Sequence, residues 1–145
     1  MNLIDEHCYT ASILVKATPP EVMTFLRDEP ATGDWAFGAW GPITRLENNV
    51  YKGRSLYDGG ETIFRIRVLE QVNQVDYEVG YLGGELQPWI VIRVTPGPVT
   101  GRNADMSLLT IMAWRNVEWA DDDWRLLCAT HQTEVYRIRY LIEKR

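Results

Sequence analysis

The chain has 145 residues and a formal net charge of -5, and it is 46% hydrophobic and 11% aromatic. Such a length suits a single domain over residues 1–145 that buries roughly two thirds of its unfolded surface, and the apolar content excludes intrinsic disorder. The acidic balance excludes a phosphate-gripping nucleic-acid surface, and two cysteines exclude a disulfide framework.

The opening MNLIDEHCYT carries two acids within six residues and no apolar h-region, so it does not read as a secretory signal. No apolar run approaches the ~20 residues of a membrane span. The expectation is a cytoplasmic protein with no membrane insertion and no nucleic-acid partner.

Residues 8–17, CYTASILVKA, alternate with period two, which predicts a half-buried strand with Tyr9, Ala11, Ile13, Val15 and Ala17 on one face. TPPEVMTFLRD follows, with Thr18 as a helix cap, prolines in the first turn and Glu21 at the positive end of the helix dipole. Pro30 is expected to end that helix, and a second short one is expected around Asp34 to Phe37, with Asp34 as its cap or as a pocket acid. Trp35, Phe37 and Trp40 then lie among glycines, either as a gate or as a plug.

From Pro42 to Trp114 period-two segments predict six antiparallel strands, near 43–47, 51–57, 62–71, 74–82, 87–95 and 105–114. Asn48-Asn49, Asp58-Gly59-Gly60 and Gly83-Gly84 supply turn chemistry. Alternation points Phe64, Ile66 and Val68 inward, then Val75, Tyr77, Val79 and Tyr81, then Ile90, Ile92 and Val94, with a bulge able to exchange the last set. The strand near 105–114 is apolar on both faces, so one of them must cover more than solvent, and a homodimer contact is one hypothesis.

A final helix is expected from Trp119 or Asp121 to Lys144. At 100° per residue Trp124, Cys128, His131, Val135, Ile138 and Ile142 form one stripe, which places a histidine at the centre of an apolar face.

Three segments, SILVKATPPEVMTFLRD, VLEQVNQVDYEV and HQTEVYRIRYLIEK, in this order resemble the SRPBCC superfamily. Its members are also called START-like or Bet v-type helix-grip proteins, and the similarity is greatest to the polyketide cyclase/dehydrase-like bacterial members. The resemblance spans the whole chain. It implies an α+β helix-grip fold, a curved seven-stranded antiparallel sheet wrapped around a long C-terminal helix, with two short helices between the first two strands. It also implies a hydrophobic cavity between sheet and helix, in which family members bind lipids, sterols, hormones or polyketides and some catalyse cyclisation or dehydration.

On that geometry the candidate ligand-binding residues are His131, Trp35, Phe37, Phe64, Ile66, Tyr77, Tyr81, Ile92, Cys128 and Val135. His131 is also the candidate catalytic acid or base, with Tyr77 or Tyr81 as helper. The alternative leaves it as a core histidine bonded to the sheet. Cys128 and His131, three residues apart, lack the further ligands of a zinc site, and no glycine-rich phosphate motif is present, so neither metal nor cofactor is expected. The leading expectation is a protein that binds a hydrophobic or aromatic small molecule. A cyclase or dehydratase in the same cavity is the alternative, and a protein-interaction module is a third.

Overall fold

The computed structural model describes residues 4–145, so the start of the segment weighed for a targeting signal lies outside the described residues. After a single helical turn, α1 (Ile4–His7), come β1 (Cys8–Val15), α2 (Pro19–Leu26) and α3 (Glu29–Thr32). Strands β2 (Trp40–Arg45), β3 (Tyr51–Arg54), β4 (Glu61–Leu69), β5 (Gln74–Tyr81), β6 (Gln87–Pro96) and β7 (Ser107–Trp114) precede α4 (Asp121–Glu143). The strands form one antiparallel, curved and open sheet in the order β1-β7-β6-β5-β4-β3-β2. This is the helix-grip arrangement expected from the sequence.

The capping signals act as read at α2. The Thr18 hydroxyl accepts from the Glu21 N–H at 3.4 Å, and the Glu21 carboxylate accepts from the Thr18 N–H at 3.3 Å, which satisfies two otherwise unpaired donors. The second short helix differs from expectation. It starts before Pro30, because Asp28 caps it by accepting from the Ala31 N–H at 3.3 Å, and a proline in a first turn lacks only an N–H that needed no helical partner. Asp34 is therefore not the cap but an exposed residue beyond it. Where the helix was expected, residues 33–35 form a turn, a 3₁₀ turn follows at Phe37–Ala39, and β2 starts at Trp40 rather than Ile43. Gly33 is required here, since a Cβ would lie 2.0 Å from the Gly41 carbonyl oxygen.

Asn48 and Asn49 both take positive φ, 59° each, in the β2–β3 turn, a conformation that asparagine tolerates better than most residues. The β5–β6 ladder shifts register between Tyr77 and Val79, and Gly80 permits the close approach of the Glu85 carbonyl there. The outward face of β7 is half-buried at Leu108 and Met112 and exposed at Trp114.

Two environments lie along α4. Its C-terminal half, through Val135, Ile138, Leu141 and Ile142, packs into a dry core with α2, β1, and the inward residues Val75, Ile92, Val94, Leu109 and Ile111. Its N-terminal half spans a hollow. The expected stripe is buried throughout, but burial also takes in Thr130, Glu134 and Leu141, one row to the side. Among the described residues no helix is long and apolar enough to cross a membrane.

Candidate functional site: a cavity under the N-terminal half of α4

The hollow has a volume of about 740 Å³ and lies between α4, the β4–β6 part of the sheet and the segment after α3. Its wall is mainly apolar and includes Trp35, Trp89, Trp114, Trp119 and Trp124, five of the six tryptophans in the chain. Trp35 is buried at the closed end, where it meets the edge of Tyr77 at 5.5 Å between centroids, and its indole nitrogen has no hydrogen-bond partner. Trp89 and Trp119 stand edge to face at 5.0 Å, and Trp119 continues to Trp124 at 6.3 Å. Leu126, Trp114 and Tyr81 also line the cavity and are exposed, so it opens to solvent beside them.

Of the residues expected to meet a ligand, Trp35, Phe64, Tyr77, Tyr81 and His131 line this cavity. Ile92 and Val135 lie instead in the closed core, with Ile66 packed against it, because α2 fills the sheet–helix gap at that level. Cys128 is buried in α4 and does not contribute to the wall. Phe37 is half-buried against Trp40 at 5.6 Å, and only its backbone reaches the site.

The polar groups of the wall are mostly satisfied within the protein. The Tyr77 hydroxyl donates to the Leu26 carbonyl at 2.8 Å, and Thr62 donates to the Gly38 carbonyl at 2.7 Å. Thr130 uses its hydroxyl hydrogen on the Leu127 carbonyl, at 2.8 Å, so Tyr57 donates to Thr130. Burial, opposed in part by the Thr130 bond and reinforced by the nearby Glu134 charge, pushes the Tyr57 phenol well above its ordinary 10.0. Burial and the same carboxylate raise Tyr77 as well, so both are neutral donors.

His131 has its partner on its own helix. Nδ1 lies 2.6 Å from Oε1 of Glu134, one helical turn on, and both side chains are at most 5% exposed. Oε2 of Glu134 accepts from the Phe37 N–H at 2.9 Å, which ties the 3₁₀ turn to α4. No hydrogen bond engages Nε2 among the described residues, and His131 forms part of the cavity wall. Sequence reading missed Glu134 because a carboxylate beside the stripe passes for a solvated face. The signal was the His-x-x-Glu spacing, which puts both groups on adjacent rows. Trp89 was missed because the bulge at the β5–β6 ladder turns it toward the wall. Among the described residues no three His, Cys, Asp or Glu side chains converge to hold a metal ion.

No protein-family model matches the sequence, and no curated protein matches it. Solved structures do. A START superfamily protein from Mycobacterium smegmatis superposes with a TM-score of 0.67 at 12% identity, over 95% of this chain and 98% of that one. The chain shares the helix-grip fold of that protein. The Zhui aromatase/cyclase from Streptomyces sp. R1128 gives 0.67 at 14% identity, covering 95% and 94% of the two chains. The di-domain ARO/CYC BexL from the BE-7585A biosynthetic pathway gives 0.69 at 14% identity, over 94% of this chain and 46% of that protein.

Proposed function

We propose that this START-like chain binds a hydrophobic, partly aromatic small molecule between the sheet and the N-terminal half of α4. The observation that carries the reading is a cavity of about 740 Å³ walled by five tryptophans, within the size range of small-molecule sites. A flat guest burying ~300 Å² of apolar surface would gain roughly 7 kcal/mol before the cost of association. The shared fold with proteins described as aromatase/cyclases supports an aromatic guest.

A thermal-shift screen with lipids, flavonoids and aromatic polyketides tests it. A ligand at 100 times its Kd adds about 2.7 kcal/mol of stability, hence a rise of several degrees in Tm. Tryptophan emission should change in the same titration, because five of six indoles border the guest. A panel in which no apolar compound moves either signal overturns the reading.

The buried pairing of His131 with Glu134 favours a second reading, acid–base chemistry on the bound guest. Under it His131→Ala abolishes turnover of a cyclising or dehydrating substrate while affinity stays within a few-fold. Unchanged turnover removes His131 from the reaction.

A further inference from the structure

Resting on the proposed binding cavity, we infer that Glu134 is a positioning residue that makes His131 a hydrogen-bond acceptor, so that the guest carries a hydroxyl at its buried end. Oε2 of Glu134 accepts from the Phe37 N–H at 2.9 Å, so the carboxyl meets one donor there and has Oε1 left for His131. An ionised carboxylate only accepts, so the hydrogen in the 2.6 Å contact sits on Nδ1 of His131. When the ring is neutral, a hydrogen on Nδ1 leaves a lone pair on Nε2, the nitrogen that no protein group binds among the described residues.

The neighbouring hydroxyls of Tyr57, Thr62 and Tyr77 already donate to protein acceptors. Nε2 is thus left as an acceptor without a protein donor. A guest bearing a phenolic, enolic or alcoholic O–H supplies that donor. One bearing only C–H or an ether oxygen strips the nitrogen of water and returns nothing, which is how sites built around a hydroxyl reject analogues that lack it.

Two measurements test this. The chain has two histidines, and His7 is on the surface, so long-range nitrogen–proton NMR of the uniformly ¹⁵N-labelled protein resolves His131 without assignment by mutation. At pH 9, where an ordinary imidazole is neutral, His131 should show a protonated Nδ1 and a bare Nε2. Glu134→Gln, whose amide cannot accept from both Phe37 and His131, should move His131 to a mixed tautomer population while His7 stays unchanged. Calorimetric titration then compares 2-naphthol with 2-methoxynaphthalene. 2-Naphthol should bind about tenfold tighter, as one buried hydrogen bond allows, and His131→Phe should reduce the ratio to about twofold or less.

A wild-type His131 protonated on Nε2, or equal affinity for the two probes, overturns the inference. Failure of both naphthalenes to bind instead overturns the cavity-binding reading and the guest with it, while the tautomer alone still decides the role of Glu134. That measurement needs no variant, so an unstable Glu134→Gln protein does not remove the test.

Discussion

Tyr77→Phe removes one oxygen at the closed end of the cavity and keeps the ring that meets Trp35 at 5.5 Å. The lost group is a buried hydroxyl donating at 2.8 Å to the carbonyl of Leu26, the last residue of α2. Carbonyls in a final helical turn lack the i+4 donor, so this one depends on Tyr77. Tyr77 is 2% exposed and Leu26 fully buried, so the carbonyl is shielded from bulk water. Orphaning a buried acceptor costs about 1–3 kcal/mol, and at about 2–4 °C per kcal/mol the Tm should fall by roughly 2–12 °C. Circular dichroism melts, with urea unfolding to confirm an unchanged m value, measure it. Tyr81→Phe is the control, since its hydroxyl bonds to the exposed Asp58 at 2.8 Å where water can replace it, and it should leave Tm nearly unchanged. A Tyr77→Phe protein as stable as the parent, or a Tyr81→Phe protein equally destabilised, would refute the argument that α2 is anchored through this hydroxyl.

Ile138→Ala, at the fully buried centre of the dry half of α4, should cost about 2–5 kcal/mol in urea unfolding, and a loss under 1 kcal/mol would contradict the packing described. The Gly60 N–H, and after it the Tyr81 hydroxyl, hold the Asp58 carboxyl below its ordinary 3.8. A depressed folded value contributes stability above 3.8 that disappears as pH falls through the folded value, so the advantage of the parent over Asp58→Asn should be present at pH 7 and vanish in acid. A pH-independent gap between their melts would exclude that linkage. Burial raises Tyr57 and Tyr77, so the unfolded chain releases those protons first. Stability should therefore fall as pH rises above 10, with their phenolate absorbance appearing only on unfolding; early phenolate absorbance from all seven tyrosines would contradict their burial.

Much of the architecture was legible because it follows from local rules. Alternation located the strands, the Thr18–Glu21 box located α2, and 100° spacing placed His131 inside. The errors occur where a local rule had a competitor. Pro30 stops a helix or starts one, and the Asp28 cap, two residues earlier, decides for the start. The stripe on α4 identified which face is inward, but not that its C-terminal half meets α2 while its N-terminal half lines the cavity. That distinction separates Val135 and Ile92 from His131, and it depends on how deep α2 sits. Glu134 was illegible for a different reason, since its partners include a backbone N–H, and no side chain at position 37 announces that bond.

That backbone bond bears on how the site can vary. The tie between α4 and the turn at Phe37 joins a carboxylate to a peptide amide, which every residue except proline supplies. The side chain at position 37 is therefore free to drift among the eighteen other non-proline residues, reshaping the packing around Trp40 without loosening the turn. At position 134 there is no such freedom, because the same carboxylate also holds His131. Neutral variation should accumulate on one side of the bond and be purged on the other.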